Sequence, residues 1–481
     1  MGDAASMSPV EHLSVVAAQQ CVLESVAGLG AEPVKLELSL GRVLAEDVHT
    51  NRNLPPYDVS SMDGYALHSA DLAGISTTLE IVEDIKAGDM PTKTLATGQC
   101  ARIMTGAPLP QGADAVVRVE YTEAKPDNRV QINQTVKPGN DIRRLGENMR
   151  NGEVVLTAGT EITPGVIGVL ATVKRAQVQV CRRPRVAILS TGNELEGLDE
   201  PVNPDKIPDA NSYALMAQVQ ALGIEPVLLG IARDDPDELA HYLQRGLEYD
   251  VLLVSGGTSV GVHDYVRPTI EALGVQMLFW RVAMRPGHPV AFGKVPPTFT
   301  KVAEVDAVQG ARSAATQAYL EDRQGSEHRA TQRADGWLRS SRGPAGLLLA
   351  GECAAAGAFV FGLPGNPVSS MVCFEQFVAP ALRRMMGHAR IYRRTITARL
   401  THNVKHQPGR TEFIRVTLAQ EACGYAATST GAQGSGMLLS MAKADGLMVV
   451  PSASMGLAAG STVTVQLLDG MVFQDGAGFK E

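Results

Sequence analysis

"RVAILSTGNEL", residues 185–195, joins an apolar strand to a loop of small residues and an acid. Val186 to Leu189 is an uninterrupted apolar run, too short for a helix and suited to a strand buried on both faces. It stops at Ser190, Thr191 and Gly192, whose small side chains let backbone approach a ligand closely, and Glu194 follows. The unit then repeats along the chain. "NSYALMAQVQALG" (211–223) is a predicted helix closed by Gly223, and "PVLLGIA" (226–232) a strand. "DDPDELAHYLQRGLE" (234–248) is a helix with Asp235 as cap and Pro236 first. "DVLLV" (250–254), "DYVRPTIEALG" (264–274), "AFVFG" (358–362) and "NPVSSMVCFEQFVAPALRRMMG" (366–387) continue the alternation. Apolar strands alternating with helices predict a parallel sheet covered on both faces.

The flanks have a different texture. "SPVEHLSVVAAQQCVLESV" (8–26) is predicted to be a helix opened by a capping box, Ser8 to Glu11. Residues 51–142 alternate short apolar stretches with Gly, Pro, Asp and Asn, a turn-rich β unit. "GVIGVLATV" (165–173) is helical again, and the tail from about 390 is strand-rich, a small β-barrel or sandwich. Residues 296–350 are polar, nearly charge-balanced and poor in aromatics, and are predicted to be a disordered or loose insertion.

The totals exclude several classes. A chain of 481 residues exceeds one core, so several domains are expected. A net charge of −8 argues against nucleic-acid binding, which rests on basic phosphate contacts. No apolar run has the length of a membrane span and no signal peptide opens the chain. The six cysteines are scattered without C-x-x-C, as in a reduced, cytoplasmic protein. Gly2 and Ser6 match a myristoylation template, but no polybasic segment follows to complete an anchor.

In an open parallel sheet, ligands bind beyond the carboxyl ends of the strands. Three predicted strands end there in glycine-rich loops: "STGNEL" (190–195), "SGGTSVGVHD" (255–264) and "GLPGNPVSS" (362–370). Successive N–H groups in such loops form anion nests, here around Ser255, Gly256, Gly257, Ser259, Gly365 and Asn366. Pro367 opens a helix whose free N–H groups favour phosphate. Neither the P-loop spacing nor a dinucleotide fingerprint is present, so ATPase and dehydrogenase readings fall. Glu194, Asp209, Asp234 and Asp264 gather near these loops and suggest Mg²⁺ held between carboxylates and substrate phosphates. Asp209 and Asp234 are equally consistent with helix capping. Arg281 and Arg285 suit an oxyanion, and no His/Cys cluster has zinc spacing. In "LPPYDVSSMDGYALHSADL" (54–72), turn chemistry accounts for one aspartate but not for both Asp58 and Asp63.

These residues together resemble the MoeA family of molybdopterin molybdenumtransferases, which includes the E domain of gephyrin. The carrying motifs are "PPYDVSSMDGYA", "RIMTGAPLPQGADAVV", "DIRRLGENMRNGE", "STGNEL", "DAN", "SGGTSVGVHDY", "MRPGHP", "GLPGNPVSS", "PGRTEF" and "QGSG", in the family's order. The resemblance implies a multidomain α/β plus β fold. Its parts are an elongated helical linker domain (8–50 and 143–183), an inserted β domain (51–142), a molybdopterin-binding α/β domain (184–389) and a C-terminal β-barrel (390–481). It implies insertion of molybdate into adenylylated molybdopterin, with AMP released and Mg²⁺ as helper.

By the same resemblance Asp63, Thr105, Glu194, Asp234 and Asp264 are the catalytic set, with Glu194, Asp234 and Asp264 on the metal. Asn211, Arg281, Arg285, Pro364 and Pro367 join the loop residues in binding substrate, and Arg410 and Ser435 reach in from the barrel toward molybdate. Asp58 is left to shape its turn. The family implies a homodimer whose active site lies at the subunit interface, where Asp63 of one chain meets Asp264 of the other. It also implies transient contact with the adenylyltransferase and with molybdoenzymes. This chain departs from the pattern at Asn148, where many relatives carry aspartate. Arg281, Arg285 and His288 replace lysines of many bacterial members, and the 296–350 insertion has no counterpart. Two rival readings stay open: a gephyrin-like scaffold, and a phosphoanhydride hydrolase on the same α/β module.

Overall fold

The computed structural model describes residues 10–257, 265–296 and 357–468. They form two compact units, one of residues 31–180 and one of the chain's beginning, up to residue 30, together with everything from residue 181.

The larger unit is built on a seven-stranded sheet in the order Val10–Leu13, Gln276–Val282, Ala291–Lys294, Phe359–Leu363, Val251–Ser255, Val186–Thr191, Val227–Ala232. The last four strands are parallel. Along Val186–Thr191 the side chains alternate between faces. Val186 and Ile188 enter a core with Leu215, Val219 and Val372, while Ala187 and Leu189 pack with Leu239, Leu243 and Ile270. Each fully buried Val, Ile or Leu contributes about 1.5–3 kcal/mol relative to exposure, which is why Val186–Leu189 carries no polar residue. Ala291–Lys294 extends this parallel core as an antiparallel strand between its two neighbours. Residues 283–290 explain it: a parallel crossover takes a dozen or more residues, and so short a link reverses the chain instead.

The N-terminal segment differs from its sequence expectation. Val10–Leu13 is a strand paired in parallel with the Gln276–Val282 strand, so Glu11 lies in a strand and not in a helix. The helix begins at Val15, and Ser14 caps it by accepting from the Ala17 N–H at 3.1 Å. Strand and helix belong to the larger unit. Ser8, Gly2 and Ser6 lie outside the described residues.

The C-terminal part of this unit is a closed barrel of Thr395–Leu400, Thr411–Glu421, Gly424–Ser429, Gly446–Val450 and Thr462–Leu467. Closure comes from Thr411–Glu421, which pairs antiparallel with both Gly424–Ser429 and Gly446–Val450. Ile414, Val416, Met448, Val450 and Val465 fill its interior. Met284–Arg285, in the link before the antiparallel strand, pairs with Thr411–Glu412 and ties the barrel to the α/β layer.

The smaller unit holds a six-stranded sheet in the order Ala115–Arg118, Gly64–Leu67, Gln99–Ile103, Thr77–Ile85, Arg129–Ile132, Thr122–Lys125. Tyr65 and Leu67 face one core with Val117 and Val130, and Ala66 faces another with Ile103 and Val116. Helix Pro164–Thr172, capped by Thr163, buries Leu170 with Leu44 and Val180 among short paired strands.

Candidate active site

The parallel strands deliver three loops to one edge. Gly256 and Gly257 have φ of 98° and 60°, conformations that other residues adopt only with strain. A Cβ on Gly256 would stand 2.5 Å from the Thr191 carbonyl oxygen, so the first two loops touch through backbone. The third joins through Asn211, whose Nδ2 donates to Ser255 Oγ and to the Gly365 carbonyl, both at 2.7 Å. Asn211 Oδ1 and Thr191 Oγ1 are buried at this edge without a protein partner among the described residues. Asn193 and Asp234 tie the first loop to the adjoining strand end. The Asn193 N–H donates to Asp234 Oδ2 at 3.3 Å, and the Asp234 N–H donates to Asn193 Oδ1 at 3.2 Å. Glu194 folds back over Gly192, where an added Cβ would lie 2.5 Å from its Oε2. Two exposed carboxylates, Glu194 and Asp234, therefore stand on neighbouring loops.

Asp209 resolves as a cap. It accepts from the Ser212 N–H at 3.1 Å and the Ser190 hydroxyl at 2.9 Å. Ser190 is fully buried and bonded to Ser212 as well, so its hydroxyl serves this cap rather than a ligand. Asp264 and Ser259 lie outside the described residues, as does nearly all of the 296–350 insertion. Among the described residues no three His, Cys, Asp or Glu side chains group as a metal site.

Where the barrel meets the α/β layer a cleft of ≈ 370 Å³ opens, lined among others by Arg285, His288, Asn366, Ser369, Arg410 and Ser435. The Ser435 carbonyl accepts from the Val368 N–H at 3.1 Å, capping the helix that Pro367 opens. Pro364 also lines the cleft. Arg281, at a φ of 87°, sits at the end of the strand leading to it. His288 donates from Nδ1 to the Val282 carbonyl at 2.8 Å and stacks on His12 with ring centroids 5.4 Å apart. Burial pushes the His288 imidazole below its ordinary value, and the nearby Arg410, His12 and Arg281 add to this. His288, Ser369 and Gln433 line the cleft although sequence reasoning gave them no role in it. The "MRPGHP" and "NPVSS" motifs held the first two. Gln433 carried no signal beyond its place at the start of "QGSG".

In the smaller unit Asp63 precedes strand Gly64–Leu67 and Thr105 follows Gln99–Ile103, the strand paired with it. Thr105 donates its N–H and its hydroxyl to Asp63 Oδ1 at 2.7 and 2.8 Å. These two bonds hold the exposed carboxyl below the usual carboxylate range. Asp58 accepts from Arg144 Nη1 at 2.6 Å and from the Leu145 N–H at 2.8 Å. Partial burial pushes its carboxyl up, but the Leu145 and Arg144 bonds outweigh that and the net direction is down. Asp58 is thus spent on pinning its own turn to residues 144–145.

Glycine loops at a sheet edge, beside a barrel-walled cleft with two arginines, define a multidomain enzyme class that handles an oxyanionic ligand. The chain belongs to the MoeA family. It matches the MoeA N-terminal region (domain I and II) over residues 13–173, the probable molybdopterin binding domain over 187–384 and the MoeA C-terminal region (domain IV) over 397–468. A molybdopterin molybdenumtransferase of Nostoc sp. is 34% identical over 441 residues, 90% of this chain and 88% of that protein. One from Bacillus subtilis is 32% identical over 445 residues, covering 91% and 90%. A solved structure, the molybdopterin biosynthesis moeA protein from Pyrococcus horikoshii OT3, superposes with a TM-score of 0.71 at 26% identity, covering 95% of this chain and 100% of that one. No helix among the described residues is long and apolar enough to cross a membrane.

Proposed function

We propose that this chain is a molybdopterin molybdenumtransferase of molybdenum cofactor biosynthesis, which inserts molybdate into adenylylated molybdopterin and releases AMP. The observation that carries the reading is the cleft in which Arg285 and Arg410 stand with Asn366, Ser369 and Ser435. A tetrahedral dianion takes charge-assisted bonds from guanidinium groups and from hydroxyls, and this set offers both. Along the same edge the nests around Gly192, Gly256, Gly257 and Gly365 are built to take substrate phosphates. Asn211 Oδ1 and Thr191 Oγ1 are left for a polar group of the ligand.

Glu194 and Asp234 suit Mg²⁺, which binds through one or two carboxylates together with phosphate oxygens, and Asp264 is expected to complete the set. When bound, the ion offsets the charge that develops on the phosphoanhydride as AMP leaves. Asp63, held by the two Thr105 bonds, is the acid supplied by the β domain. We assign the chain to the cytoplasm and to a homodimer in which Asp63 of one chain serves the site of the other, with passing contact to the adenylyltransferase and to molybdoenzymes. Arginines and Ser435 in a cleft suited to molybdate favour transfer over simple hydrolysis or scaffolding.

Two experiments test this. Incubating the protein with adenylylated molybdopterin, Mg²⁺ and molybdate should form cofactor that activates a molybdenum-free molybdoenzyme, and failure to do so would sink the activity. Exchanging subunits between inactive Asp63→Ala and Asp264→Ala variants should restore roughly a quarter of wild-type activity, since about half the dimers are mixed and each holds one intact site. A mixture that stays inactive despite verified exchange would rule out the shared site.

A further inference from the structure

Next to the cleft on the barrel side, lining a second concavity, is a histidine that the proposed chemistry leaves unused. His406 lies just before the loop that ends at Arg410, and its side chain is only 3% exposed. Both its ring nitrogens face carbonyl oxygens: Nδ1 lies 2.9 Å from that of Ser454 and Nε2 lies 3.0 Å from that of Arg410. A carbonyl accepts and never donates, so a neutral imidazole satisfies one of them and turns a bare lone pair on the other. A ring with a proton on each nitrogen donates to both.

Glu412, with a side chain 10% exposed, places Oε2 4.0 Å from His406 Nε2. Its other oxygen, Oε1, lies 3.5 Å from Arg285 Nε. Arg410 and the exposed Lys405 are the cations nearby in the chain, and residues 451–456, on the Ser454 side, carry no charge. A second concavity of ≈ 420 Å³, lined by His406, Arg285, Arg410 and Glu412, shares both arginines with the oxyanion cleft. Between His406 and Arg410 runs Gln407-Pro408-Gly409, a link outside helix and strand with Gly409 at a φ of 117°, where the Gly409 N–H donates to the Ser452 carbonyl at 2.8 Å.

We propose that His406 is a positioning residue: protonated on both nitrogens, it pins the loop that carries Arg410. Through Glu412 it also fixes Arg285, so that both guanidinium groups stand at the cleft. The proposal rests on the reading that this cleft binds molybdate. Without the ring, the 407–410 link keeps only its backbone tie to the 451–454 turn, the Gly409 N–H donating to the Ser452 carbonyl at 2.8 Å, and the Arg410 end loses its own anchor. Glu412, no longer shared, then draws Arg285 toward itself and away from the anion.

The test uses the full chain with molybdate alone as the probe, comparing wild type, His406→Gln and Arg410→Ala by titration calorimetry. His406→Gln should weaken molybdate binding by about tenfold or more, while adenylylated molybdopterin binds within about threefold of wild type. If Arg410→Ala leaves molybdate binding unchanged, the cleft reading itself fails. If Arg410→Ala weakens binding and His406→Gln does not, the positioning role is overturned. A second readout needs no variant: ¹⁵N spectra of histidine-labelled wild type at neutral pH, assigned by through-bond correlations. The His406 ring should show a proton on both nitrogens, and a neutral tautomer would overturn the proposal.

Discussion

Thr105 gives both its backbone N–H and its hydroxyl to a single oxygen of Asp63, across 42 residues of chain. The antiparallel pairing of Gly64 with Ile103 brings the two strand ends together, so the bond is a product of register. Thr105→Val keeps the shape and the N–H but removes the hydroxyl. The Asp63 carboxyl should then titrate at a higher pH than in wild type, read from its ¹³C resonance. Turnover near neutral pH should fall by roughly three- to tenfold. An unmoved titration would show that the hydroxyl does not lower the Asp63 carboxyl.

Asp250 offers a pH test of the larger unit. Arg182 donates to it at 2.8 and 3.2 Å and the Arg185 N–H at 2.7 Å. Burial pushes the carboxyl up, but the Arg182 bonds, the Arg185 N–H and the two charges outweigh it, leaving a folded value below the ordinary one. Its stabilisation is therefore full above the unfolded value of about 3.9 and is lost as pH falls through the lower folded value. Asp250→Ala should cost about 2–3 kcal/mol at neutral pH, because Arg182 keeps some access to water. Denaturant melts should show this cost shrinking at acid pH, and a pH-independent difference would contradict the ion pair's role.

Gly256→Ala places a methyl where the Thr191 carbonyl oxygen already stands, at a backbone φ of 98°. Neither partner is a flexible side chain, so the two loops must part. Expected effects are a loss of at least about 2 kcal/mol in stability and of at least about tenfold in turnover. Wild-type behaviour in melting and AMP release would mean that the loops are not packed as described.

His288 should titrate below the usual imidazole value of about 6.5, since burial and three neighbouring cationic or titratable groups disfavour its charged form. The sign for stability follows: the folded state holds the proton less tightly than the unfolded, so part of the stability is lost as pH falls below that value. A His288 ring that titrates at or above the free value, read by NMR, would contradict this.

Much of the α/β layer was legible because its signals are local. Asp235 does accept from the Asp237 and Glu238 N–H groups, and Pro236 does open the helix, as the spacing predicts. Long-range pairing was not legible. Nothing within residues 8–14 announces that Val10–Leu13 will pair with the strand at 276–282, and that ladder displaces the expected helix start to Ser14. Site residues divide the same way. The glycine loops announce themselves by composition, whereas Ser190 reads as one of them and is instead enclosed with Asp209 and Ser212. Asp58 and Asp63 look alike in sequence. Their partners, Arg144 with Leu145 for one and Thr105 for the other, separate a turn anchor from an exposed acid.

The central claim is that molybdate binding and AMP release belong to one reaction at this site. The most direct measurement is a single turnover of adenylylated molybdopterin with Mg²⁺, run with and without molybdate, counting AMP released and molybdenum incorporated. The account predicts that the two appear in equal amounts and that incorporation in Arg410→Ala needs far more molybdate. AMP released without molybdate, with no molybdenum incorporated when molybdate is supplied, would contradict it and leave a phosphoanhydride hydrolase.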